Sequence, residues 1–426
     1  MHPNIWYPFT IIEDAPEPLK VVKGEGIWLE LEDGRRIMDC ISSWWVNLHG
    51  HAHPDIAAAI SEQANRLEQV IFANFSHEPA EQLAESLAAK LPGNLNRVFF
   101  SDDGSTAVEV AMKIAYQYWT NTGERRKTFI CFEGAYHGDT FGAMSAGDRS
   151  VFTEVFKELL FDVEFLSYPE TWIDDHTAAD RENDIIETLE AKLTEYPARY
   201  AGVLIEPLVQ GAGGMRMCRP EFIQKLRETC NRYGTLLIFD EVMTGFGRTG
   251  SFFASERAGV APDIICLAKG ITGGFLPLAV TVCSDEIYDI FRSSDPLKTF
   301  WHGHSYTANP LGCAAALASL KLMDEHRPVY SQMENWHREA MQELADVSDL
   351  NRLRVTGTIA AMDLVTGEGG GYLDEVALQI KKKCIEKGLL LRPLGNVLYL
   401  MPPYCVTPAK LQEIYRGIKA LLSELT

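Results

Sequence analysis

The chain has 426 residues, of which 46% are hydrophobic, and a formal net charge of −20. That apolar content excludes a disordered chain, that charge would repel the phosphates of nucleic acid, and that length exceeds what one compact core holds. No apolar run reaches the roughly 20 residues of a membrane span and the N-terminus shows no basic or apolar leader, so a cytoplasmic protein with no membrane partner is expected.

The chain opens on an aromatic, Pro-punctuated segment, Ile5-Trp6-Tyr7-Pro8-Phe9-Thr10. Residues 26–39 alternate and turn at Asp33-Gly34, which predicts a β-hairpin. Ser42-Ser43-Trp44-Trp45 then leads into His49-Gly50-His51-Ala52-His53-Pro54, and helices are predicted over 55–70 and 78–91. From there strands and helices alternate, the pattern of a parallel sheet with helices on its faces. The expected strands are 97–101, 128–132, 202–206, 235–240, 264–268 and 278–284. Residues 170–184 are polar and aperiodic and predict a surface loop before a helix over 185–195. After Asn309-Pro310, helices are expected over 311–325 and 329–345, strands over 353–365 and 389–401, and helices over 373–387 and 408–425. The expected organisation is α/β. A large domain (51–308) holds a mostly parallel sheet, and a small α+β domain (309–426) is joined by the N-terminal segment (1–50). The nine cysteines are scattered without a Cys-x-x-Cys pair, several inside apolar runs, and read as reduced, buried thiols.

Two apolar runs each stop at one charged residue: Thr235-Leu236-Leu237-Ile238-Phe239 at Asp240, and Ile264-Ile265-Cys266-Leu267-Ala268 at Lys269. Such runs predict strands buried on both faces. Asp240 and Lys269 are therefore expected at the carboxyl ends of parallel strands, the edge where open α/β sheets bind ligands. Desolvating a carboxylate and an amine is costly unless something uses them. Pyridoxal phosphate uses both, since its aldehyde takes a lysine and its ring nitrogen takes an anion that keeps it protonated. The competing readings are a strand-end Asp capping a turn and an ordinary exposed lysine. The apolar run before Lys269 and the glycines of Gly270-Ile271-Thr272-Gly273-Gly274, which let backbone approach a ligand, favour the cofactor.

Between Ser101 and Lys113 a strand gives way to a small-residue loop and a helix starting near Ser105. The N–H groups and dipole of a helix N-terminus suit a phosphate, and Gly104 and Ser105 stand there. A plain capping motif is the stronger reading when this stretch is taken alone. No Gly-x-Gly-x-x-Gly or Walker loop is present, which weakens a nucleotide-binding reading. Tyr136, in a turn after a strand, would either stack on a flat ring or pack in the core. His137 and Asp139 read as residues that satisfy loop backbone. His49, His51 and His53 would share a face of a strand, but Gly50 and Pro54 mark a turn and no carboxylate or thiol lies at ligand spacing, so no metal is expected. Trp44 and Trp45 would wall an apolar channel or pack the core.

Together, Asp240-Glu241-Val242, Gly245-Phe246-Gly247-Arg248-Thr249-Gly250 and Lys269-Gly270-Ile271-Thr272-Gly273-Gly274 resemble the class III aminotransferases, pyridoxal-phosphate enzymes of fold type I. Gln210-Gly211-Ala212-Gly213-Gly214-Met215, Trp301-His302-Gly303-His304-Ser305 and Leu391-Arg392-Pro393 extend the resemblance over nearly the whole chain. It implies a transaminase acting on a small-molecule amino donor and a keto-acid acceptor, as a homodimer with shared active sites. Gly104 and Ser105 would bind the cofactor phosphate, joined by the partner subunit's His304 and the partner subunit's Ser305. Tyr136 would stack on the ring, Asp240 would hold its nitrogen, and Lys269 would take its aldehyde and move the proton. Trp44, Trp45, Tyr136, Gly303 and Arg392 would line the substrate pocket, with Arg392 gripping the acceptor's carboxylate. The family commonly has Tyr at the position of Phe9, in the amino-donor site, and Pro-Thr at His304-Ser305. Without the Tyr hydroxyl the donor stays open between S-adenosylmethionine and lysine; Ser305 keeps a hydroxyl for the phosphate. Other readings are an ω-amino acid–pyruvate or polyamine transaminase, a nucleotide-binding oxidoreductase and a non-catalytic pyridoxal-phosphate-binding regulator.

Overall fold

The computed structural model describes residues 2–13, 15–365 and 375–424. Its centre is a seven-stranded sheet in the order Leu95–Ser101, Ala279–Ser284, Ile264–Leu267, Leu236–Asp240, Tyr200–Ile205, Thr128–Phe132, Glu164–Leu166. Ala279–Ser284 runs antiparallel to both neighbours, while the pairs from Ile264–Leu267 outward to Glu164–Leu166 are parallel. Leu236–Asp240, Ile264–Leu267 and Tyr200–Ile205 are buried at every position. That is why they read as unbroken apolar runs rather than alternating ones. The short edge strand Glu164–Leu166 carries no such signal.

The N-terminal hairpin forms as expected, with Trp28–Leu31 against Arg36–Asp39 and Val21–Glu25 outside it. Leu389–Leu390 pairs in parallel with Arg36–Asp39, tying the C-terminal region to the chain's start. Several expectations need correction. The helix expected over 55–70 ends at Ala64. The loop expected over 170–184 is helical from Ala178, within a helix that runs to Glu195. Glu182 is buried on the helix's inner face with Ile185 and Leu189, where it receives both Arg219 Nε and Nη2 at 2.7 Å, and Lys225 at 3.3 Å. The single strand expected over 353–365 is a hairpin, Leu350–Thr356 and Ile359–Leu364, turning at Gly357 with φ +58°. Gly357 is also crowded, since a Cβ there would lie 2.2 Å from Gly250 N. The strand expected over 389–401 is likewise two strands, Leu389–Leu390 and Val397–Leu400. The helix expected over 373–387 is seen as Glu375–Glu386, and residues 373 and 374 lie outside the described residues.

No helix among the described residues is long and apolar enough to cross a membrane. All nine cysteines are free thiols; eight are buried and Cys405 is half-buried.

Candidate active site

A cavity of about 460 Å³ opens at the carboxyl ends of the parallel strands. Asp240 ends Leu236–Asp240, Glu206 follows Tyr200–Ile205, and Lys269 stands two residues past Ile264–Leu267. All three line the cavity, with Trp45, Gly104, Ser105, Tyr136, His137 and Gly274.

Asp240 is 4% exposed. Its Oδ2 lies 2.7 Å from His137 Nδ1, and its Oδ1 accepts the Val242 N–H at 3.0 Å. Burial opposes a charge on His137, but the bond to Asp240 and the nearby negative charges hold the imidazole above its ordinary pKa. His137 Nε2 is buried without a partner. Read from sequence, His137 satisfies loop backbone; the structure corrects this and sets it on the key carboxylate. Only the fold joins residues 137 and 240, so no local signal was available.

Lys269 opens a 3-10 turn, Lys269–Thr272. Its ammonium lies 5.2 Å from the centre of the Trp45 ring, and no hydrogen bond or ion pair holds it among the described residues. Desolvation lowers its pKa, partly offset by Asp240 and Glu206. The glycines after it do not mainly serve a ligand, contrary to expectation. A Cβ on Gly270 would meet Leu48 at 3.0 Å, and one on Gly273 would meet His49 and Ile56 at 2.9 Å. Of the three, only Gly274 reaches the cavity wall.

Trp45 forms part of the opposite wall, on a turn whose backbone is strained. Ser42, Ser43 and Trp45 have φ of 52°, 60° and 69°, a region costly for side-chain-bearing residues. Surrounding bonds hold it there. Asp39 accepts the N–H of Ile41 and of Ser43, Ser42 Oγ donates to the Met401 carbonyl at 2.7 Å, and Trp45 Nε1 donates to Tyr399 OH at 2.9 Å.

At the far end, Gly104 begins the helix Gly104–Thr122, capped by Asp103, whose Oδ1 accepts the Thr106 N–H at 2.9 Å. The N–H groups of Gly104 and Ser105 remain for a ligand. Gly104 has no room for a side chain, since a Cβ would stand 2.6 Å from Val242 Cγ1. Tyr136 OH donates to Asp139 at 3.0 Å; burial, then Asp139, pushes its pKa up.

Other predicted residues sit outside the cavity lining. Trp44 is 40% exposed, with the Arg392 guanidinium carbon 4.4 Å from its ring centre and Phe9 packed edge-on at 5.5 Å. His304 Nε2 is 3.8 Å from Asp102, a cavity-lining residue. Ser305 offers its carbonyl to Gln69, and Gly303 lies beside them. His49 bonds Ser319, and His51 bonds Asp39 and Asn47. Glu206, not among the site residues expected from sequence, shares the pattern of Asp240: an apolar strand that stops at a carboxylate.

These donors fit pyridoxal phosphate. The cavity offers an unpartnered amine, a buried carboxylate, an aromatic face and open helix N–H groups.

The sequence matches the model of the aminotransferase class-III family over residues 12–422. It is 58% identical to adenosylmethionine-8-amino-7-oxononanoate aminotransferase of Synechococcus elongatus, covering 100% of this chain and 99% of the relative. The Geobacter sulfurreducens protein of the same name is 39% identical, with 99% and 96% covered. Among solved structures, the Methanocaldococcus jannaschii protein of that name superposes with TM-score 0.92 at 32% identity, covering 99% of this chain and 97% of that one. A PLP-bound amine transaminase from an uncultivated Pseudomonas species gives TM-score 0.92 at 30% identity, with 99% and 98% covered.

Proposed function

The chain belongs to the class III aminotransferases and is a pyridoxal-5′-phosphate-dependent transaminase; from that premise we propose that it aminates 8-amino-7-oxononanoate to 7,8-diaminononanoate in biotin biosynthesis, with S-adenosylmethionine as donor and lysine as the other donor to be tested. The observation that carries this is the 58% identity over the full chain, joined to the amine and carboxylate set in one cavity.

Bound, the cofactor supplies an aldehyde that condenses with amines and a ring that draws electrons from the carbon losing its proton. The chain supplies the rest. Lys269, its amine favoured in the uncharged form by desolvation, takes the aldehyde and carries the proton in both half-reactions. Asp240, fixed by His137 and Val242, pairs with the ring nitrogen. Tyr136 covers one ring face, and Gly104 and Ser105 receive the phosphate. Trp44 and Trp45 flank the acceptor's alkyl chain and Arg392 takes its carboxylate bidentately. Phe9, edge-on to Trp44, stands at the donor's entry.

The working form we propose is a cytoplasmic homodimer in which Gly303, His304 and Ser305 complete the other subunit's site. Leu297, Trp301 and Tyr306, which flank them, are 85%, 74% and 65% exposed, apolar surface that a second copy would cover. Chains carrying Lys269→Ala and chains carrying His304→Ala with Ser305→Ala test it when mixed. Hybrid dimers then hold one intact site and recover activity; no recovery refutes sharing.

The functional test is a pair of half-reactions. S-adenosylmethionine and lysine are each mixed with the yellow enzyme, and bleaching identifies the donor. The oxononanoate should then restore the colour and saturate the enzyme; restoration by pyruvate instead of the oxononanoate would favour the ω-amino acid–pyruvate reading.

A further inference from the structure

The motif Gln210-Gly211-Ala212-Gly213-Gly214-Met215 has no part in the site described above, yet it lies against the turn that carries Tyr136. Two observations join the turns. A Cβ on Gly213 would stand 2.1 Å from the Gly134 carbonyl oxygen, so the two backbones touch there and Gly213 has no room for a side chain. Glu206, 5% exposed, bridges them: its Oε2 accepts the Tyr136 N–H at 3.3 Å and its Oε1 accepts the Gly211 N–H at 3.2 Å. Gly211 in turn lies under Trp45 and Met243, which a Cβ would approach to 3.1 Å. One carboxylate thus ties the wall bearing Tyr136 to the turn that backs Trp45.

The strand register explains why a carboxylate is available there. Ile205 pairs with Phe239, so the next step sets Glu206 beside Asp240 on the adjacent parallel strand. Asp240 is turned to His137 and Val242, and Glu206 to the loop N–H groups of Tyr136 and Gly211.

We propose that Glu206 is a positioning residue for the cofactor: by clamping the Tyr136 turn to the Gly211–Gly214 turn, it fixes the slot into which the pyridoxal ring slides. The inference rests on the cofactor reading above. The clamp adds an acidic group to the floor without touching the reacting atoms. Burial raises the Glu206 carboxyl above its ordinary pKa; His137 opposes the rise and Asp240 adds to it.

Two variants test it. Glu206→Gln keeps the shape but turns an NH2 group toward one of the two backbone donors. Gly213→Ala pushes the turns apart with no change of charge. Each is expected to weaken pyridoxal phosphate about tenfold in equilibrium dialysis, the order of one hydrogen bond to a charged group. Each should also change the visible circular dichroism of the bound cofactor, which a merely stabilising residue would leave alone. Wild-type affinity and dichroism in both variants would overturn the proposal. So would a loss in Glu206→Gln alone, which would mean the carboxylate acts through its charge. Should Glu206→Gln fail to fold, Gly213→Ala decides. Failure of the wild-type chain to bind the cofactor at all would instead strike the cofactor reading itself.

Discussion

Asp240, Glu206 and Lys269 leave the ends of three neighbouring buried strands. Phe9, Trp44 and Arg392 stand on irregular segments, with Phe9 and Trp44 46% and 40% exposed. The floor of the cavity is preorganised by the sheet, whereas the rim is held by ring contacts at the surface. A floor of this kind suits chemistry common to a whole family, which needs fixed geometry. An exposed rim on loops suits the choice of substrate, which varies between relatives. Substitutions of the floor groups that meet the cofactor, Lys269 and Asp240, should therefore cut turnover most, and substitutions at the rim should alter substrate affinity.

The sharpest break is expected at Lys269. Lys269→Ala should lose turnover by several orders of magnitude together with the yellow colour. Retention of both would remove Lys269 from the chemistry. Next comes Asp240→Ala, which removes the partner of a buried cation and should cost about 3–5 kcal/mol in cofactor binding and rate combined. A near-wild-type rate in steady-state assays would reject its role.

A slightly smaller effect concerns stability at the floor. Glu241, 0% exposed, accepts the backbone N–H groups of Ala254 and Ser255 at 2.7 Å, and burial lifts its carboxyl to about 7. A carboxyl raised above its unfolded value holds its proton more tightly when folded. Its contribution is present in full below about 4.5 and is lost as pH rises through about 7, about 3 kcal/mol at most. Denaturant melts of Glu241→Gln should show a flatter stability profile between those pH values than wild type; identical slopes would exclude this group.

At the rim, Arg392→Ala should raise KM for the oxononanoate about 10- to 100-fold, the value of a charged hydrogen-bonded pair, with kcat much less affected. A collapse of kcat with unchanged KM would place Arg392 on the floor and dissolve the distinction. The smallest effect is expected from Phe9→Tyr, which restores the hydroxyl common in the family. It should shift donor KM by less than about 1.5 kcal/mol and leave the acceptor's KM unchanged.

The same division governs what the sequence disclosed. Asp240 and Lys269 were legible because a strand buried on both faces reads as an apolar run, and a charge that ends it stands out. Glu206 carried the same mark. His137 did not, because its meaning comes from a carboxylate 103 residues later. The helix Ala178–Glu195 was half missed because its buried polar residue, Glu182, is satisfied by Arg219 on another element, and amphipathic counting treats such a residue as solvated. The rim offered two aromatic residues and an arginine in irregular sequence, whose contacts exist only in three dimensions.

The central claim is that the amine of Lys269 is the one that takes the cofactor, and borohydride reduction of the holoenzyme followed by peptide mass mapping tests it most directly. The reduced cofactor's mass is expected on the peptide that contains Lys269 and on no other. A label on a different lysine, or none on a yellow enzyme, would contradict it.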